Sequence, residues 1–252
     1  MKVIWHGTAS IEIRQGKDRL LFDPFVPLKG AEFELDISAF DSFPDVFITH
    51  GHLDHIASIP KIASRNPGMR IFATRTPCLT LVKKGVPKSS LRLLGYGDDL
   101  RLGPFRIRVF HSKHAELPKA SFGRVKRILS SPARGNIPYI ARENARCPEN
   151  GETVLYHIRC GGRSVSLMGS LNLQYEVRYP VGSDCLILPY NGWEDNCPPA
   201  VRAIERLKPG KVLLDHYDVT FPPLTEPVDL TGILERYPGR VEAMEHGREY
   251  DV

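Results

Sequence analysis

Long apolar runs are missing from this chain: no stretch approaches the eighteen or so consecutive apolar residues that a membrane-spanning helix needs. The opening residues, MKVIWHGTAS, carry no long apolar signal core either, so a cytoplasmic location is expected. Cysteine is sparse. The five cysteines (Cys78, Cys147, Cys160, Cys185, Cys197) are odd in number and scattered, and no Cys-x-x-Cys pair marks a zinc ribbon or a redox motif. Reduced, mostly buried thiols are the expectation. No solenoid-period repeat and no low-complexity tract interrupts the chain.

What is present is the composition of an ordinary folded protein, 252 residues at 42% hydrophobic and 25% charged. The net charge of +5 is unevenly spread. From Lys119 to Arg146, seven basic residues (Lys119, Arg124, Lys126, Arg127, Arg134, Arg142, Arg146) face a single acid, Glu143, which leaves the rest of the chain slightly acidic. Such a concentration suits an anionic partner. The surrounding stretch, 117–150, is rich in Pro, Gly, Ser, Asn and Arg and reads as an inserted, partly irregular excursion of the kind that serves as a lid or contact surface.

Short apolar runs between polar breaks predict strands at VIWHGTASIEI and RLLFDPF, an opening hairpin, then at DVFITH and RIFAT, several short strands joined by glycine turns across LRLLGYGDDLRLGPFRIRVFHSKH, and strands at ETVLYHIRC, RSVSLMGS, DCLILPY and KVLLD. Helical spacing predicts HIASIPKIAS, broken near Pro60, then TPCLTLVKKG, with Pro77 in the first turn and Gly85 at the end, and PPAVRAIERL. Strands alternating with helices imply a layered α/β or α+β architecture, read here as one domain over 1–252.

The densest chemistry lies in ITHGHLDHIAS. Three of nine histidines and an aspartate fall between His50 and His55, at a strand-to-helix junction. Imidazole and carboxylate are ligands for zinc and similar divalent ions. On an extended segment His50 and His52 point to one side, and the turn into a helix brings Asp54 and His55 to a neighbouring point, so two adjacent metals become feasible. Asp54 also suits capping of the helix that follows.

His50-x-His52-x-Asp54-His55 resembles the signature of the metallo-β-lactamase-fold superfamily. WHGTASIEI followed by RLLFDPF resembles the first hairpin of the branch of ascorbate-6-phosphate lactonases and N-acyl-phosphatidylethanolamine phospholipases, and HSKHAE, LMGSLNL and LLDHYDVTFPP fall in the order of that branch's later motifs, with 117–150 the least matched. The resemblance implies an αββα four-layer sandwich. It implies that His50 and His52 hold a first metal and that Asp54 and His55 hold a second, completed by His216. The third ligand of the first metal falls on His111 or His114; the motif's spacing favours His114 and leaves His111 beside the ligands or at the surface. Where the family has a bridging aspartate, this chain has Ser170, a neutral and poor bridging ligand, so a weaker second site is expected.

The implied cofactor is a divalent metal, zinc first, with manganese, iron or nickel as alternatives, in one or two copies. A metal-dependent hydrolase follows, with Asp54 orienting the attacking water on an anionic lactone, ester or phosphate ester. A nucleic-acid processing or binding protein is an alternative, ranked lower because the basic segment interleaves few aromatics, Phe122 and Tyr139. A metal-binding but non-catalytic member is another, motivated by Ser170. Oligomeric state stays open. His6 is read as a structural histidine near the site, His157 as a strand residue facing solvent, and His246 as carrying no signal. Tyr190, Asn191 and Trp193 suit a pocket wall or packing equally.

Overall fold

In the computed structural model the described residues are 1–116, 122–191 and 195–252, without the side chains of residues 122–124 and 127. Lys119 and Trp193, and the side chains of Arg124 and Arg127, therefore lie outside the described residues. The apolar runs become strands of two mixed sheets. The first sheet takes β1 (Lys2–Trp5), β2 (Ile11–Gln15), β3 (Asp18–Phe22), β4 (Asp45–Phe47), β5 (Arg70–Ala73) and β6 (Leu91–Leu93) in spatial as well as chain order. The second takes β7 (Asp99–Leu102), β8 (Phe105–His111), β9 (Val154–Cys160), β10 (Arg163–Met168), β11 (Cys185–Pro189), β12 (Lys211–Asp215) and β13 (Val241–Ala243), again in order. Strand β14 (Glu249–Asp251) returns to pair antiparallel with β1. Each sheet starts antiparallel and finishes with parallel strands, from β3 to β6 and from β10 to β13.

Helices α1 (Leu53–Ile56), α2 (Ile59–Arg65), α3 (Arg75–Lys83), α4 (Phe122–Ser130), α5 (Ile137–Arg146), α6 (Cys197–Leu207) and α7 (Thr231–Arg236), with 3-10 turns at Ile37–Phe40, Lys88–Ser90 and Pro132–Asn136, complete the elements among the described residues. Period-two alternation decides which face each strand residue takes. In β4 and the residue beyond it, Phe47 points between the sheets, whereas Val46 and Ile48 join Leu53, Ile56, Ile59, Leu81 and Ile140 on the outer side. The interior between the sheets is filled by Phe22, Phe47 and Phe72 against Phe105, Ile107, Tyr156 and Ile187. On the far side, Leu186, Leu188, Val212 and Leu214 bury against Ala200, Ile204 and Ile233 of α6 and α7. The layer order is helix, sheet, sheet, helix, as the resemblance implies.

Two segments depart from the pattern read in the sequence. VIWHGTASIEI is two antiparallel strands, because Gly7 and Thr8 both take left-handed backbone (φ 98° and 49°) and the His6 N–H donates to the Ser10 carbonyl across a tight turn. The excursion is more regular than its composition suggests: α4, a 3-10 turn at Pro132–Asn136 and α5 occupy most of it. Ser131 caps that turn by accepting from the Ala133 N–H, and Pro138 sits in the first turn of α5, where its missing N–H costs nothing. No helix among the described residues is long and apolar enough to cross a membrane.

Candidate metal centre

The histidine-rich segment begins immediately after β4, and the second sheet fixes where it starts. Tyr156 of β9 donates its buried hydroxyl to the Ile48 carbonyl at 2.6 Å, and the Val154 N–H donates to the Thr49 carbonyl at 3.0 Å. Gly169, following β10, lies so close that a Cβ there would fall 2.5 Å from the Thr49 Cβ, so only glycine permits this approach. Gly51 is held equally tightly: a Cβ would sit 2.2 Å from the Pro148 carbonyl oxygen, at the end of the basic excursion.

From this anchored start the donors form two groups. His50, His52 and His114 have ligand atoms within 4.8 Å of one another, and so have Asp54, His55 and His216. His114 follows β8 and His216 follows β12, so both sheets contribute beyond their strand ends. The ring nitrogens His50 Nε2 and His52 Nδ1 face each other at 3.2 Å. Asp54 Oδ2 lies 3.1 Å from His216 Nε2 and 3.6 Å from His55 Nε2. His216 adopts left-handed backbone (φ 60°), and its N–H donates to the Thr8 carbonyl. A non-glycine residue held in that conformation is strain of the sort found at functional positions.

The surrounding hydrogen bonds choose the tautomers. Asp23, buried at the end of β3, accepts from the Thr49 N–H (2.8 Å), the Thr49 hydroxyl (2.5 Å) and the His55 Nδ1–H (2.8 Å). Having given its proton to Asp23, the Thr49 hydroxyl accepts from His50 Nδ1–H at 3.0 Å. His114 Nδ1–H donates to the Ala115 carbonyl at 2.6 Å. Each of these rings is thereby left with an Nε2 lone pair, the state a metal ligand needs.

Charge follows the same plan. Burial, with the neighbouring imidazoles, holds His50 well below its ordinary pKa; burial also pushes His52 down to about 4 and lowers His114. The first group is therefore three neutral imidazoles at neutral pH. Burial would raise the Asp54 carboxyl, but the neighbouring His55 ring and the hydrogen bond from His216 hold it far below the carboxylate range. Burial would lower His216, yet its hydrogen bond to Asp54 and the charges of Asp54, Asp215 and Asp218 raise it to about 9. His216 Nδ1 and Asp215 Oδ1 are buried without a hydrogen-bond partner among the described residues. Converging lone pairs, an ionised carboxylate and orphaned buried donors and acceptors fit a pair of divalent cations chemically.

The other residues singled out in the sequence lie as follows. His111 ends β8, donates its Nε2–H to the Gly151 carbonyl at 2.9 Å and stacks on Tyr96, outside both donor groups. Ser170 is buried and its hydroxyl accepts from the Ala115 N–H at 2.9 Å, so it braces the loop that carries His114. His6 pairs with Glu12 at 3.1 Å on the opening strands. Tyr190 is buried in the apolar layer with Ala200 and Ile204. His157, read as facing solvent, is buried and bonds Ser166 across β9 and β10. His246, read as carrying no signal, stacks on Trp5 and reaches Asp218. Asp23 and Thr49 went unread as tautomer-setting residues; an acid closing an apolar strand just before a proline, in LLFDP, was the available signal.

Comparison with known proteins agrees with this architecture. A family model described as a beta-lactamase superfamily domain matches residues 18–217. A UPF0173 metal-dependent hydrolase of Pyrobaculum arsenaticum is 25% identical over 252 residues, covering 99% of this chain and 96% of its own. A UPF0173 protein of Pyrococcus abyssi is 26% identical over 114 residues, and that match spans 50% of its length. Among solved structures, Igni18, a metallo hydrolase from Ignicoccus hospitalis, superposes with a TM-score of 0.65 at 17% identity, covering 100% of this chain and 98% of its own.

Proposed function

The chain belongs to the beta-lactamase superfamily domain family, and from that premise we propose that it is a metal-dependent hydrolase acting on an anionic lactone, ester or phosphate ester of small size. The observation that carries the reading is the pair of donor groups, His50–His52–His114 and Asp54–His55–His216, presented beyond the strand ends with the tautomers of His50, His55 and His114 fixed. In this reading the first group holds one divalent ion, zinc by preference for its imidazole donors, and the second holds another.

Bound there, a divalent ion lowers the pKa of water towards about 7 and polarises the oxygen under attack. The chain's own residues do the rest. Asp54 stays ionised, so its carboxylate accepts a hydrogen bond from the attacking water and orients it. Before a metal enters, His216 Nε2, 3.1 Å from Asp54 Oδ2, donates to that carboxylate and keeps the two donors converged. Asp23 and Thr49 keep His50 and His55 in the tautomer that presents Nε2. The anionic preference rests on the basic excursion, whose Pro148 carbonyl packs directly on Gly51 of the histidine segment. With Ser170 engaged to the Ala115 N–H, no carboxylate from that position spans the two groups, which favours a weaker second site.

The test is hydrolysis by the full chain of a panel pairing anionic with neutral esters, lactones and phosphate esters, before and after chelation and with zinc, manganese, iron or nickel returned. Turnover that chelation abolishes and a divalent ion restores is expected, with anionic members preferred. Turnover indifferent to chelation, or none on any member with both donor groups loaded, would overturn it, the latter in favour of a metal-binding, non-catalytic protein.

A further inference from the structure

A third convergence of donors lies apart from the two groups above. Glu32, Asp218 and His246 bring ligand atoms within 4.8 Å of one another from three segments far apart in the chain. Backbone bonds set their register: the Glu32 N–H donates to the Val219 carbonyl at 3.0 Å, and the Gly247 N–H donates to the Trp5 carbonyl at 2.8 Å. The His246 ring packs at a tilt against Phe33 on one contact and Trp5 on the other, with centroids 3.8 and 4.3 Å away and planes 30° and 34° apart, and its Nε2 lies 3.0 Å from Asp218 Oδ2.

The independent observation is Asp218 itself. Its side chain is fully buried; Oδ2 accepts from the Thr8 N–H and meets His246, while Oδ1 is buried with no hydrogen-bond partner among the described residues. A buried carboxylate oxygen without a partner costs several kcal/mol unless a cation compensates it. Glu32 and His246 remain open to solvent, so an ion has a way in. From these contacts we infer that Glu32, Asp218 and His246 form a separate binding site for a divalent first-row metal ion. One imidazole and two carboxylates suit manganese, iron, cobalt or zinc. Ligands on one ion stand up to roughly 4 Å apart, twice a bond of roughly 2.1 Å, and the exposed Glu32 side chain can close the remaining gap. The ion would pin the His246 and Glu32 segments to the loop beyond His216.

Trp5 offers a local reporter, because the chain has two tryptophans and replacing Trp193 by Phe leaves Trp5 alone beside His246. Chelated Trp193→Phe protein is titrated with cobalt, reading Trp5 fluorescence and cobalt per chain by equilibrium dialysis with elemental analysis. A saturable quenching phase is expected that His52→Ala leaves in place, that His246→Phe removes while keeping the ring stack, and that Glu32→Gln weakens at least about tenfold. Cobalt content should fall by one ion per chain in His246→Phe. Quenching and content unchanged in Glu32→Gln and His246→Phe, or a phase lost in His52→Ala alone, would overturn the site. Should His246→Phe fail to fold, the exposed Glu32→Gln decides.

Discussion

Replacing Asp23 by asparagine should weaken metal binding at both donor groups, although Asp23 belongs to neither. In the amide, Nδ2 must take the place of one carboxylate oxygen. Placed where Oδ2 lies, it faces the Thr49 hydroxyl and His55 Nδ1, and both must then accept. The Thr49 proton has to turn elsewhere, and His50 Nδ1 is 3.0 Å away. Accepting it moves the His50 proton to Nε2, and His55 is driven to the same tautomer. Placed where Oδ1 lies, Nδ2 meets the Thr49 N–H, donor against donor, in a fully buried position. The second arrangement costs about 1–3 kcal/mol of stability for the unsatisfied group, whereas the first keeps every contact but turns Nε2 of His50 and His55 from lone pair to donor. Lost orientation of ligating histidines lowers metal affinity about tenfold to hundredfold, or about 1.4–2.7 kcal/mol. Competition with a chromophoric chelator reads the affinity, and urea denaturation of the metal-free protein reads the stability. Affinities unchanged at both groups would refute the tautomer chain from Asp23 through Thr49.

Other perturbations test separate parts of the account. Ser170→Asp should raise occupancy of the Asp54–His55–His216 group after dialysis against a mild chelator, with folding checked by circular dichroism; two tightly held metals in the wild type, unchanged by the substitution, would contradict the weak-second-site reading. Neutralising Arg124, Lys126 and Arg127 together should raise KM for an anionic substrate and leave metal content and a neutral substrate unaffected, measured by steady-state kinetics. The metal-free protein should be most stable near pH 6.5. Below that, burial has pushed His52 and His157 down to about 4, so the unfolded chain takes up protons the native chain refuses and stability falls towards pH 4, by about 1.4 kcal/mol per pH unit for each group. Asp215, raised by burial to about 8, holds from about pH 4 upwards a proton the unfolded carboxyl has lost, so it offsets one of those histidines below pH 6.5; above it, Asp215 and then His216, at about 9, make stability fall towards pH 9. Urea midpoints across this range would show a flat or inverted profile if those environments were otherwise.

Much of the site was readable because its densest part is local. His50, His52, Asp54 and His55 share one strand-to-helix junction, and their spacing alone places them together. Motif spacing favours His114 over His111, and the two differ in place: His111 still belongs to β8 and pairs with Val154, whereas His114 lies past the strand end. What the sequence hid was long-range. Asp23 acts on residues 26 and 32 positions away, and Glu32, Asp218 and His246 meet only because the two sheets and the C-terminal strand close on one another. Alternation in VLYHIRC implies one wet face for His157, whereas between Arg108 of β8 and Ser166 of β10 it is buried. The C-terminal elements α7, β13 and β14 went unread since three- to six-residue runs carry too little periodicity to register.

The first metal site is tested most directly by metal per chain, measured by elemental analysis of protein purified without chelator, for the wild type, His114→Ala and His111→Ala side by side. Wild type and His111→Ala should carry the same tightly held divalent ion, and His114→Ala should lose it, because one of three imidazoles around it is gone. A His114→Ala protein that keeps its metal while His111→Ala loses it, or a wild type that binds no divalent ion even when supplied, would contradict the assignment of His50, His52 and His114 as the first metal site.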